Sequence, residues 1–255
     1  MIDVKNISKS FGDIHVLNDI SIDLQEGKIN MIIGKSGAGK SVLLKCLVGL
    51  LDVDKGIIAY DGRNFSAMNY KKKKEIRKEI GMLFQGSALY DSMSVIDNVM
   101  FPLEMFTELN FEERKERAIF CLRRVNIVES ADCLFPAEIS GGMQKRVAIA
   151  RAIALQPKYL FCDEPNSGLD PQTSIVIDNL IREITLEFNI TTVVISHDMN
   201  SVMEISDTIT FIHNGERWWQ GQRDDIMTTD NKEVVDFVYA SDFMKTLRKS
   251  FIDKK

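Results

Sequence analysis

The chain has 255 residues, 45% of them apolar and 27% charged, which places it in the ordinary globular range, long enough to bury a core and too apolar for disorder. Its formal net charge of −5 argues against nucleic-acid binding driven by overall charge. Cys46, Cys121, Cys133 and Cys162 lie far apart without a CxxC pair, so neither a zinc site nor a disulfide framework is indicated and a reducing cytosol is expected.

The opening MIDVKNISKSF alternates apolar with polar residues and has no basic segment leading into an apolar stretch, so it reads as a strand and not as a signal peptide. No window approaches the roughly 18 apolar residues of a membrane span, so partners are expected to supply any spans. Residues 1 to about 60 read as an antiparallel β region. Ile2, Val4 and Ile7 and then Ile20, Ile22 and Leu24 mark strands, with turns at Glu26-Gly27 and Asp61-Gly62. Beside them Ile29 to Ile33 runs into glycines, and Val42 to Leu51 follows with helical spacing that closes at Asp52. Strand, loop and helix open an α/β unit.

From Ser87 to Gln156 strand signal is weak and helix starts are frequent. Ser94 with Asp97, and Asn110 with Glu113, read as N-caps with a supporting acid. After the second, Ala118, Ile119, Leu122 and Val125 form one apolar face. A helical subdomain inserted into an α/β core is expected over about 87–156. The core resumes with apolar strands Tyr159 to Cys162 and Thr192 to Ile195, separated by a helix from about Pro171 to Phe188. Asn214-Gly215, inside Phe211 to Gly221, signals a β-hairpin. Beyond Gln222, Val234, Val235, Phe237, Val238, Phe243 and Leu247 recur at helical spacing. That face needs a covering surface, either the chain's own domain or a partner. Lys71 to Lys74 reads as a solvated helix face, with attraction to an anionic membrane surface as the alternative.

Gly34-Lys35-Ser36-Gly37-Ala38-Gly39-Lys40-Ser41 matches GxxxxGK[ST] between an apolar strand and a helix led by Val42, the context the motif requires. The glycines let backbone N–H groups turn toward phosphate oxygens while the helix N-terminus faces the same anion. Lys40 then reaches the β- and γ-phosphates and the Ser41 hydroxyl ligates Mg²⁺. The strand Tyr-Leu-Phe-Cys ends in Asp163-Glu164, where Asp163 meets Mg²⁺ and Glu164 polarises the attacking water. The second carboxylate predicts turnover of ATP, not mere binding.

Ile139-Ser140-Gly141-Gly142-Met143-Gln144-Lys145-Arg146, leading into VAIARAIA shortly before Asp163, resembles the signature of the ABC ATPases. Ser140 is a good N-cap, and Gly141 and Gly142 expose amides at a second helix start, an anion site distinct from the first. The resemblance implies a P-loop cassette with an antiparallel β subdomain, a parallel-sheet core and the helical insert, over residues 1–225, followed by a helical tail at 226–255. It also implies a head-to-tail dimer in which each signature closes on ATP held by the other copy. Gln85 resembles the family's Q-loop glutamine, which senses Mg²⁺ and the attacking water, and Ser167-Gly168-Leu169-Asp170 its D-loop. His197 resembles the switch histidine on the γ-phosphate. Phe11 stands where the family stacks an aromatic on adenine, with Val16 lining the same face. Met143, Asn166 and Phe11 depart from the common pattern without removing a charged group, so altered rate or nucleotide preference is implied, not inactivity.

Met82 to Tyr90, Met93 to Val99, Pro102-Leu103 and the signature methionine together resemble the Mla type of these ATPases, which serve MCE-domain systems moving phospholipid between bacterial membranes. The resemblance implies an MlaE-like permease, a periplasmic MCE protein and a STAS-like subunit as partners. It places the chain in the cytoplasm against the inner membrane. The competing readings are another ABC importer, for amino acids or other small solutes, or a soluble ABC ATPase acting on ribosomes or DNA. The latter types carry paired cassettes or coiled-coil inserts that this sequence does not show.

Overall fold

The computed structural model of the protein describes residues 1–240, 244–246 and 248. In chain order its elements are β1 (Ile2–Phe11), β2 (Ile14–Leu24), β3 (Ile29–Ile33), α1 (Lys40–Leu47), β4 (Lys55–Tyr60), β5 (Arg63–Asn64), α2 (Tyr70–Lys78), β6 (Ile80–Leu83), α3 (Val95–Phe106) and α4 (Phe111–Arg124). There follow α5 (Gly141–Ile153), β7 (Tyr159–Asp163), α6 (Pro171–Glu187), β8 (Thr191–Ile195), α7 (Met199–Ile205), β9 (Thr208–His213), β10 (Glu216–Gln222), α8 (Arg223–Thr228) and α9 (Lys232–Val238). The chain divides into two compact units, Met1–Ala67 with Val194–Lys255, and Met68–Val193.

In the first unit an antiparallel sheet runs β2-β1-β4-β5. Ile2 pairs with Leu24, Val4 with Ile22 and Ile7 with Ile20, and all six side chains are buried. Val4 and Ile7 are three residues apart, an odd spacing that would send them to opposite faces of a regular strand. A register shift between them, with Asn6 at φ 51°, returns Ile7 to the inner face. The same unit carries β3 flanked by β9 in parallel register, Ile33 opposite Phe211, with β10 antiparallel beyond. All five residues of β3 are buried, as a strand covered on both faces requires.

The helix expected over Val42 to Leu51 is shorter. α1 stops at Leu47 because Gly49 takes φ 75°, Gly49 N donates to Cys46 O at 3.1 Å and Leu50 N to Lys45 O at 2.8 Å. This is a Schellman closure, and the glycine is its sequence signal. Asn214 and Gly215, at φ 50° and 77°, close the β9–β10 hairpin as expected. The tail's apolar face packs on its own unit over the described length. Val234 and Val238 are buried, and Phe237 lies 5.3 Å from Phe211 between ring centres. Phe243 and Leu247 lie outside the described residues.

In the second unit β6 and β7 are parallel, Leu83 opposite Cys162, and α3, α4 and α5 pack on one another, with α5 also against β6. Both expected N-caps form. Ser94 Oγ accepts from Asp97 N at 3.2 Å. Asn110 makes a full capping box, accepting from Glu113 N at 3.0 Å while its own N–H donates to Glu113 at 2.8 Å. Ala118, Leu122 and Val125 are buried as expected, joined by Cys121, with Ile119 only partly covered. Asp170 caps α6, accepting from Thr173 N at 3.0 Å, with Pro171 at the first helical position.

Candidate functional site

The first unit gathers the glycine loop, Phe11, Val16 and His197. The loop leaves β3 with Gly34 at φ 153°, Gly37 at 79° and Gly39 at 101°, conformations that L side chains rarely adopt. A Cβ on Gly34 would lie 2.3 Å from Ile212 O, and one on Gly39 would lie 2.9 Å from Val16 O. Val16 therefore borders the loop directly. Lys35, Ser36 and Gly37 are exposed, whereas Ala38, Gly39 and Lys40 are buried. Lys40 Nζ donates to Gly34 O at 2.7 Å and Lys35 O at 3.1 Å, which holds its ammonium under the loop. Ser41 and Val42 continue the first turn of α1, with Ser41 exposed. An exposed glycine loop, a buried cation and a helix N-terminus are the features a phosphate cradle requires.

Ser196 N donates to Ile32 O at 3.3 Å, so His197 emerges at the end of β3 where the loop begins, and it is exposed. Phe11 is 46% exposed beside the β1–β2 turn, with the Lys9 ammonium 5.6 Å from its ring centre. Asp54 bonds Lys9 Nζ at 2.8 Å and Ser10 N at 2.7 Å, and those bonds hold its carboxyl below the usual carboxylate range. Phe11 thus offers an open aromatic face on a tethered strand end.

One contributor escaped the sequence reading. Asn214-Gly215 signals only a hairpin, yet Gly215 N donates to Ala38 O at 3.3 Å and Gly215 O accepts from Asn18 N at 2.7 Å. A Cβ there would lie 2.4 Å from Val16 O. The hairpin tip is a brace under the phosphate loop, and no local sequence pattern announces a contact so distant in the chain.

The second unit gathers Gln85, Asp163, Glu164 and the Ser140 helix start. Because Leu83 sits opposite Cys162 in parallel strands, Gln85 and Asp163 leave the sheet at the same end. Gln85 Nε2 donates to Ser167 Oγ at 3.1 Å, which ties the segments around the two landmarks together. Glu164 is half-buried at φ 47°, a left-handed conformation that costs a non-glycine residue about 1–3 kcal/mol and is characteristic of functional turns. Ser167 N closes this turn onto Glu164 O at 3.1 Å. Asn166 donates to the buried Asp178 carboxylate at 2.8 Å, a partner the sequence does not suggest. Asp163 and Gln85 supply hard oxygen donors of the kind Mg²⁺ takes. Burial pushes the neighbouring Cys162 thiol up, which keeps it protonated.

Ser140 caps α5, accepting from Met143 N at 3.3 Å. The two glycines behind it differ. A Cβ on Gly142 would lie 2.6 Å from Thr173 Cγ2, so its absence lets α5 approach α6. A Cβ on Gly141 would meet only Leu169, at 3.9 Å, and Gly141 is exposed. Packing among the described residues does not require a glycine there.

Residues 17–167 match the family described as ABC transporter. The chain belongs to that family. ABC transporter subunits similar to it include the methionine import ATP-binding protein MetN of Clostridioides difficile, 40% identical over 232 residues, 91% of this chain and 72% of that protein. The intermembrane phospholipid transport system ATP-binding protein MlaF of Haemophilus influenzae is 36% identical over 238 residues, 93% of this chain and 90% of the relative. Among solved structures, the ATP-binding cassette MJ0796, dimeric in a post-hydrolysis state bound to ADP and Pi, superposes with a TM-score of 0.80 at 30% identity, covering 88% of this chain and 99% of that one. The expected cassette fold is thereby shown, and the chain is the ATP-binding subunit of an ABC transporter, an ATPase that uses ATP with Mg²⁺. Among the described residues no helix is long and apolar enough to cross a membrane.

Proposed function

We propose that this ATPase drives a separate permease of the Mla type and moves phospholipid between bacterial membranes, working as a dimer with two ATP molecules at its interface. The observation that carries the cargo assignment is the stretch Met82 to Val99 together with Met143 in the signature, supported by the likeness to a phospholipid-system relative over 90% of that relative's length. The partners are a second copy, an MlaE-like permease, an MCE-domain protein and a STAS-like subunit, with no nucleic acid. The chain works on the cytoplasmic face of the inner membrane. Residues 1–225 form the cassette, about 87–156 its helical subdomain, and 226–255 a tail.

Gly34, Lys35, Ser36, Gly37, Ala38 and Gly39 surround the phosphates with backbone amides, Lys40 neutralises the β- and γ-phosphates, and Val42 completes the loop's helix. Phe11 and Val16 take the adenine. Ser41, Gln85 and Asp163 hold Mg²⁺, which neutralises charge developing on the phosphate oxygens. Glu164 orients and deprotonates water for attack on the γ-phosphorus, and His197 contacts the γ-phosphate. Ser140, Gly141 and Gly142 face the ATP of the other copy. The open surface at Gly141 supports this, because among the described residues only Leu169, at 3.9 Å, comes near a Cβ placed there.

Methionine import is the second reading, favoured by 40% identity to MetN. Purification of the membrane complex from its native cells separates the two. A permease carrying bound phospholipid, with ATP turnover that rises on reconstitution into phospholipid and ignores added methionine, is the expected outcome. Turnover that rises with methionine and its binding protein would overturn the lipid assignment.

A further inference from the structure

The segment after β6 is held in an unfavourable shape. Ser87 and Ala88 take φ 61° and 49° in succession, two left-handed residues that both carry a Cβ. Such a pair persists only when its surroundings over-determine it. The surroundings are two cations on one helix. Lys145, only 4% exposed, donates from Nζ to Gln85 O. Arg151, almost two turns further along α5, donates through Nη1 to Ala88 O at 2.7 Å and through Nη2 to Ser87 O at 2.8 Å. Each of these three carbonyls accepts a charge-assisted bond from the helix that begins at Ser140.

The far side of the segment is equally fixed. Asn98, fully buried on α3, accepts from Tyr90 N at 2.8 Å and donates to Tyr90 O at 3.1 Å, Met93 O at 3.1 Å and Ser94 O at 3.0 Å. Strain at Ser87 and Ala88 therefore has no slack downstream into which to relax. Burying a lysine in a helix is costly unless it makes a bond of this kind, and burial holds the Lys145 ammonium below the usual lysine range.

We infer that Lys145 and Arg151 are positioning residues that lock the strained loop of Gln85 to Ala88 onto the signature helix, so that Gln85 and the Ser140 anion site move as one body. The inference rests on the roles proposed above for Gln85 and Ser140, and it adds the device that joins them. Each cation acts through the loop, on the placement of the Gln85 side chain, which reaches Ser167 at its other end.

The test is steady-state phosphate release by the full-length chain, with kcat and KM for ATP measured separately. Arg151→Met is expected to lower kcat by about tenfold, since small misplacements of a reacting centre carry penalties of that order, while KM stays within about twofold. Lys145→Met, which keeps chain length in an apolar setting, is expected to do the same. Ser87→Gly with Ala88→Gly removes the Cβ penalty of the left-handed pair, so the loop no longer needs to be held. Added to Arg151→Met, this pair is expected to bring kcat back to within about threefold of the unaltered protein. Undiminished kcat in both methionine variants would overturn the inference. So would an equal loss with and without the glycines, the result of a purely structural arginine. Gln85→Ala separates the two levels. Full activity in that variant removes the underlying role of Gln85, whereas a slow Gln85→Ala beside normal methionine variants removes only the locking.

Discussion

Replacing Glu164 by glutamine is expected to reduce ATP turnover by about 10²- to 10⁴-fold, the range lost when a positioned general base is removed. The substitution preserves shape and length, so the left-handed turn at φ 47° and its Ser167 N to Glu164 O bond at 3.1 Å should persist. What disappears is the carboxylate proposed to deprotonate water. ATP affinity should stay within about threefold, because the groups proposed to grip the triphosphate lie in the glycine loop and make affinity terms separate from the chemical step. Phosphate release at saturating ATP, beside a binding titration, reads both quantities. Undiminished turnover would remove Glu164 from the reaction.

Lys40→Ala is expected to act on the other quantity. Lys40 is 9% exposed and its ammonium is fixed by Gly34 O at 2.7 Å and Lys35 O at 3.1 Å, so it waits in place as a preformed countercharge. A hydrogen bond to a charged group is worth about 1.5–3 kcal/mol, so losing one such bond to phosphate weakens Kd by about 10- to 150-fold. Removing a buried cation also relieves its desolvation, so the apo protein should not unfold more readily. Calorimetric titration with ATP and Mg²⁺ checks the shift, and an unchanged Kd would contradict the phosphate-cradle role.

The segments that carry the proposed chemistry were legible as local structure because each obeys a local rule. Glycine spacing marks the loop after β3, the apolar strand ending in Asp163-Glu164 marks β7, and Ser94, Asn110 and Ser140 announce helix starts that the structure places there. Long-range braces were not legible. Gly215 under Ala38, Asn166 on Asp178, and Lys145 and Arg151 on the loop of Gln85 join residues far apart in sequence. A glycine in a hairpin turn or an arginine in a helix reads the same whether or not it holds a distant carbonyl. One boundary went astray for a local reason: α1 ends at Leu47 because Gly49 outweighs the apolar run to Leu51. The alternation read through Ile2, Val4 and Ile7 is interrupted by the bulge at Asn6. The tail's apolar face left open whether it covers its own domain or another surface. Val234, Val238 and Phe237 answer for the first, through contacts no periodicity contains.

The central claim is that each ATP is clasped between the glycine loop of one copy and the Ser140 helix of the other. Gly141 gives the cleanest probe, because among the described residues a Cβ there meets nothing nearer than Leu169 at 3.9 Å, while a carboxylate would face the partner's triphosphate in the proposed dimer. Sedimentation of the Glu164→Gln protein with ATP should show a dimer that is absent without nucleotide. With Gly141→Glu added, the protein should still bind ATP and sediment as a monomer. A doubly substituted protein that dimerises on ATP as readily as Glu164→Gln alone would contradict the account.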